Sequence, residues 1–178
     1  MKEKTIRLTL TETINSIIIG ELKSIIYDHK GSTYIKFLNM AIGIEYLGAC
    51  LDHHPFDKDK ESESRFNESL KKLFDKKYKK YAKKNSSPYL YEEFRCAFVH
   101  QLRPGKNIVL THREESKVEG TTHLKSIKSG QLVLVLEEFF DDLEKAANRL
   151  IDQFKKGKIT NKKGDKAFIA ITSLRENA

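Results

Sequence analysis

The stretch Thr33-Tyr34-Ile35-Lys36-Phe37-Leu38-Asn39-Met40-Ala41-Ile42-Gly43-Ile44-Glu45-Tyr46-Leu47-Gly48-Ala49-Cys50-Leu51 decides how the chain is read. Tyr34, Phe37, Leu38, Ala41, Ile42, Ile44, Leu47 and Leu51 recur at helical spacing and cover far more than one face. A helix that is apolar nearly all round has other elements packed around it. The sequence therefore predicts a helical bundle with this segment at its centre. Glu45 is the one acid inside the run.

On the N-terminal side, Gly31-Ser32 supplies a stop and a new N-cap. Before it, Ile14, Ile17, Ile18, Leu22, Ile25 and Ile26 predict a first helix from Thr11 or Glu12 to about His29. On the C-terminal side, a polar connection from Asp52 to Ser62 carries His53, His54 and Pro55. A third helix is expected from about Glu63 to Lys83. Phe66, Leu70, Leu73, Phe74, Tyr78 and Tyr81 form its stripe, with Lys71, Lys72, Lys76, Lys79, Lys80 and Lys83 largely off it. Ser87 as N-cap and Pro88 at the first helical position introduce a fourth helix, about Tyr89 to Leu102, which Arg103-Pro104-Gly105 stops.

The period then changes. Asn107 to Thr111 reads as a strand, and His123–Ile127 with Gln131–Leu136 around Ser129-Gly130 reads as a hairpin. A fifth helix is expected from about Glu137 to Phe154, then a Lys/Gly-rich linker and a short strand within Ala167–Leu174. The expected fold is mainly α: a bundle of about five helices with a small antiparallel β meander between helices four and five. The whole chain reads as one domain, with a β insertion over about 106–136 and a basic C-terminal tail over about 155–178.

A length of 178 residues fits one domain and suffices for a core without staples. With 39% hydrophobic and 33% charged residues the chain is a globular one, not a disordered one. Its net charge of +8, carried mostly by lysine, leaves open nucleic acid, an acidic partner or a membrane surface, or a charge that only dresses the surface. The N-terminus, Met1-Lys2-Glu3-Lys4, leads into no long apolar run, and no stretch reaches the length of a membrane span, so no membrane association and a cytoplasmic location are expected. Cys50 and Cys96 lie in apolar helical stretches without a Cys-x-x-Cys partner and read as reduced thiols. No histidine shows the spacing of a metal site, and neither a Walker loop nor Gly-x-Gly-x-x-Gly occurs, so neither metal nor cofactor is expected.

The segment that carries chemistry is Tyr91-Glu92-Glu93-Phe94-Arg95-Cys96-Ala97-Phe98-Val99-His100-Gln101. Arg95 and His100 stand about 140° apart on a regular helix, so they converge only if the Arg side chain bends or a second copy supplies the facing half. A His titrating near neutral pH suits removal of a 2′-hydroxyl proton, and an Arg suits the scissile phosphate. The plain alternative is that Arg95 pairs with an acid such as Glu92 or Glu45, and His100 is a surface residue at a helix C-terminus. The lysine-rich third helix either tracks a phosphate backbone or is a solvated face. Tyr78 and Tyr81 have the spacing of core residues.

Arg-x4-His in the last core helix of a small bundle resembles the HEPN superfamily. The fuller pattern Glu92-x-x-Arg95-Cys96-x-x-x-His100-Gln101, after Tyr89 and Tyr91, looks like a group of uncharacterised bacterial HEPN-like proteins. The likeness covers mainly helices two to four. It implies action on RNA, as a metal-independent endoribonuclease in catalytic members and as an RNA- or protein-binding module in others. It also implies a homodimer through the fourth helix. The catalytic roles then fall on Arg95, which holds the phosphate, and His100, the acid or base, with Gln101 and Arg103 binding substrate. Two positions depart from the catalytic pattern. Cys96 stands where ribonuclease members usually carry a polar residue, and Leu102 where the toxin subgroup has Tyr. An antitoxin-like or scaffold protein meeting an acidic partner is the third reading.

Overall fold

The central helix forms as expected, over Thr33–Leu51 (α2), with Phe37, Met40, Ala41, Ile44 and Leu47 wholly buried. The structure is a computed structural model and describes residues 5–28, 31–159 and 168–171. Helix α1 runs through Leu10–Thr13, Ile14–Glu21 in π geometry, and Leu22–Tyr27. Its start is fixed by a capping box: the Thr9 amide donates to Glu12 (2.7 Å), and the Glu12 amide donates to the Thr9 hydroxyl (3.2 Å). The expected end at His29 lies outside the described residues. At the observed end, the buried Lys36 of α2 reaches back and donates Nζ to the carbonyls of Ile26 (3.1 Å) and Asp28. A cation placed there satisfies helix-terminal carbonyls and complements the helix dipole.

Helix α3 is Ser62–Lys72, followed by a separate 3-10 helix over Lys76–Ala82. The single helix expected over about 63–83 is thus corrected to two pieces. Extended backbone at Asp75 (φ −65°, ψ 156°) breaks it, and the sequence Lys-Lys-Tyr-Lys-Lys-Tyr has the three-residue period of a 3-10 helix. Tyr78 and Tyr81 are buried, as their spacing predicts. Helix α4 comprises Tyr91–Cys96 in π geometry and Ala97–Gln101, and ends on Leu102 in the left-handed region (φ 54°). Pro88 follows a cis peptide bond and precedes α4 rather than opening it.

The antiparallel meander is also corrected. Strand β2, Ile108–Thr111, pairs in parallel with β3, Leu132–Val135, in the register Ile108 with Leu132. A short helix the sequence reading missed, α5 (Arg113–Glu119), lies between them in the chain. Of the expected hairpin, the described residues keep an isolated antiparallel bridge between Ser126 and Leu132, with backbone bonds from Leu124 to Val133, Val133 to Lys125 and Ile127 to Gln131. Every residue of β3 is buried, and a strand buried on both faces suits parallel pairing, whereas a hairpin arm has one solvated face.

Helix α6, Leu136–Lys155, lays Phe139, Phe140, Leu143, Ala147 and Leu150 against the core. Phe94 links it to α2, with ring centroids 5.3 Å from Phe139 and 6.1 Å from Phe37. Strand β1, Thr5–Leu8, pairs antiparallel with β4, Phe168–Ile171, within the last strand expected. The rest of the tail from 160 on lies outside the described residues. The described chain is thus a mainly helical bundle, with one small parallel and one small antiparallel pair of strands. Among the described residues no helix is long and apolar enough to cross a membrane.

Candidate functional site

Arg95 faces inward from α4 toward the crossing of α2 and α3. Its Nε donates to Glu45 at 2.5 Å and its Nη2 to the Ser62 hydroxyl at 3.3 Å, while Ser62 itself donates to Glu45 at 2.8 Å. The guanidinium also stands 5.8 Å from the Tyr91 ring centre. Burial disfavours its charge, but the Glu45 hydrogen bond and charge outweigh that and hold Arg95 above its ordinary value. Of the two acids the sequence offered as partners, Glu45 is the one used.

His100 is exposed on the last turn of α4 and makes no hydrogen bond or ion pair among the described residues. Within one chain, Arg95 and His100 therefore stand in different settings. Gln101 and Arg103 are exposed beside His100, with Arg103 Nε donating to Gln101 at 3.3 Å. Both line a cleft of about 430 Å³ with Glu92, Glu93, Gly105 and Lys106. Glu93 organises its floor by accepting from the Asn107 side chain (2.7 Å) and amide (3.2 Å). A Cβ at Gly105 would sit 2.0 Å from Glu93 Oε2, so a side chain there would displace the Glu93 carboxylate from its place.

The densest charge lies on the 3-10 helix. In that geometry residues three apart eclipse, so Lys76 and Lys79 form one row, Lys77 and Lys80 a second, and Tyr78 and Tyr81 the third, with Lys83 just past the helix end. The tyrosine row is inside and both lysine rows are exposed. Lys80 Nζ lies 4.6 Å from the Tyr81 ring centre, and Lys77 pairs with Asp142 at 2.7 Å. The result is a ledge of cations on a backbone anchored from beneath.

That anchor was not anticipated. His123, read as a strand residue, lies in a loop and is buried. Its Nδ1 accepts the Val135 amide (3.1 Å), which places the ring proton on Nε2. Nε2 is 2.7 Å from the Tyr78 oxygen, and Tyr78 donates to Asp142 at 2.9 Å. Burial pushes His123 down to about 4. For Asp142, burial acts upward, but hydrogen bonds from Lys77, Tyr78 and Lys145 more than offset it and hold the carboxyl below its ordinary value. No local sequence signal marks this chain, because its members come from three distant segments.

An acid-stability prediction follows from His123. The unfolded chain takes up this proton near 6.5 and the folded chain only near 4. Between those values the unfolded state binds more protons, so stability is full above pH 6.5 and falls as pH drops toward 4. The gap corresponds to about 3 kcal/mol. Urea unfolding at pH 7 and pH 4.5 is expected to show a smaller acid-induced loss in His123→Gln than in wild type. Equal losses in the two proteins would exclude His123 as the source.

Among the described residues no group of His, Cys, Asp and Glu is placed to hold a metal ion. His54, in the α2–α3 loop, lies 3.8 Å from Glu61. Cys50 is buried and Cys96 half-buried, and no disulfide joins them. Comparison of the chain with family models, with curated proteins and with solved structures finds no match.

Proposed function

We propose that the chain is a HEPN-like, cytoplasmic RNA-binding module that meets the phosphate backbone with its lysine ledge. The observation that carries this reading is the three-residue period of Lys76–Ala82, which aligns cations in exposed rows over buried tyrosines. Rigid rows of charge hold several phosphates at once and give up bound counterions from the RNA when they do so. The engagement of Arg95 with Glu45 and Ser62 favours a binding role over cleavage, because a phosphate would have to displace an ion pair already in place.

The test is RNA binding as a function of salt, comparing wild type with the combined substitution Lys79→Glu, Lys80→Glu and Lys83→Glu. These side chains are exposed, so the fold tolerates the change. The triple variant is expected to bind about 100-fold more weakly at ~0.1 M salt, with a shallower salt dependence. Unchanged affinity, or tighter binding of an acidic polypeptide than of RNA, overturns the proposal.

The second reading is a metal-independent endoribonuclease assembled by two copies through α4. It is favoured by the exposure of His100 beside Gln101 and Arg103, and by the exposed apolar Val99 (38%) and Leu102 (60%) on the same helix end. Incubation of an RNA pool in EDTA with wild type, Arg95→Ala and His100→Ala separates the two. Cleavage to cyclic phosphate ends by wild type alone would establish the enzyme. Intact RNA in all three leaves the binding module.

A further inference from the structure

Three segments that are distant in sequence bring a hydroxyl, an imidazole and a carboxylate into line. Thr33, the first residue of α2, has its Oγ1 2.8 Å from His112 Nε2. His112, at the N-cap of α5, has Nδ1 3.2 Å from Glu137 Oε1 in the first turn of α6. A carboxylate only accepts, so Nδ1 of the neutral ring carries the proton and Nε2 is the acceptor. The Thr33 hydroxyl therefore donates to His112. Glu137 is itself held, because its second oxygen accepts the Arg113 amide at 2.8 Å. The His112 backbone is fixed by its own amide donating to Glu115 at 3.3 Å.

This is the connectivity of an activated nucleophile: a hydroxyl on a base, and the base oriented by a third group. The site is open to solvent, with the His112 side chain 30% exposed. Among the described residues Ser32, at the N-cap of α2, makes no side-chain cap bond, so it leaves the first-turn amides next to Thr33 to an oxyanion.

We propose that Thr33, His112 and Glu137 form an acyl-transfer site, with Thr33 Oγ1 as nucleophile, His112 as base and Glu137 as the group that orients it. The substrates are activated acyl esters, aryl or thiol, whose leaving groups need no acid beyond His112. In the first step Oγ1 bonds to the acyl carbon while its proton passes to His112 Nε2. The carbonyl electron pair moves to oxygen and returns as the bond to the leaving group breaks, and the leaving group takes the proton from Nε2. Water then repeats the sequence on the acyl-Thr33 ester, releasing a carboxylic acid and restoring the hydroxyl.

The full chain is treated with an alkyl fluorophosphonate, which bonds through phosphorus to a base-activated hydroxyl with loss of fluoride and spares lysine amines. The adduct is located by peptide mass mapping, and nitrophenolate release from p-nitrophenyl acetate is followed in parallel. Wild type is expected to carry one adduct, at Thr33, and to release nitrophenolate catalytically. Thr33→Val and His112→Gln are expected to lose both, Glu137→Gln to slow labelling by ~100-fold, and Thr33→Ser to retain it. Absence of a Thr33 adduct on the folded wild-type chain overturns the proposal without reference to any variant. So does ester hydrolysis that persists in Thr33→Val.

Discussion

Gly48→Ala is expected to remove about 3 kcal/mol of stability or more, a large fraction of the roughly 5–15 kcal/mol that holds a typical domain together. On helix propensity alone the change should stabilise, because Gly inside a helix costs about 1 kcal/mol relative to Ala. Packing reverses the sign. A Cβ at position 48 would lie 1.8 Å from the Arg65 carbonyl oxygen and 2.4 Å from its carbon. Both are backbone atoms of α3, so no side chain can swing away and the two helices must separate along their whole contact. Gly43, five residues earlier on α2, is the control. Its Cβ would meet Ile18 at 3.4 Å and Leu143 at 3.5 Å, ordinary contact distances. Gly43→Ala is expected to be neutral, or to stabilise by up to about 1 kcal/mol. Urea titration of the pair decides the matter, and similar midpoints for both would mean that α2 and α3 yield more readily than their backbone contact implies.

The second large effect is expected at the same crossing. Arg65→Met should cost about 3–5 kcal/mol, the range for breaking a buried charge pair from one side. The Arg65 side chain is 6% exposed, and its Nε donates to Asp52 at 2.7 Å. Its two terminal nitrogens donate to the carbonyls of Phe56 (2.8 Å) and Pro55 (2.6 Å). Met fills the volume but supplies no donor, which leaves two carbonyls and a carboxylate of the α2–α3 loop short of a partner they now have. Arg65→Lys should recover little, because an ammonium cannot reproduce a planar fork. Thermal unfolding monitored by circular dichroism reads both variants. A loss under about 1 kcal/mol for Arg65→Met would show that the loop is held by its other contacts.

What was legible in the sequence were the elements whose burial leaves a periodic trace. Thr33–Leu51 is apolar almost all round, and Leu136–Lys155 carries a clean stripe, so both emerged nearly to the residue. Arg113–Glu119 did not. Its one apolar residue, Val118, is 88% exposed, and a helix held by its ends rather than by a face has no stripe to read. Strand direction was equally hidden. Ser129-Gly130 between two apolar runs looks like a hairpin, while the preference of Leu132–Val135 for Ile108–Thr111 arises only when both of its faces are covered. At the candidate sites the residue types could be read but not their company. Glu45 lies 50 positions from Arg95, and Thr33 lies 79 from His112. Spacing rules reach one or two helical turns, and beyond that the tertiary fold alone chooses partners.

The lysine ledge has a consequence for digestion. A trypsin-like protease finds its densest cluster of cleavable bonds between Lys76 and Lys84, yet it needs an extended, yielding segment to thread through its active site. Over Lys76–Ala82 the backbone is wound into a 3-10 helix, and Tyr78 and Tyr81 tie it down through His123, Asp142 and the Leu124 carbonyl. Nicking there is therefore gated by release of the tyrosines, and the cutting rate at these lysines reports how often that corner of the bundle opens.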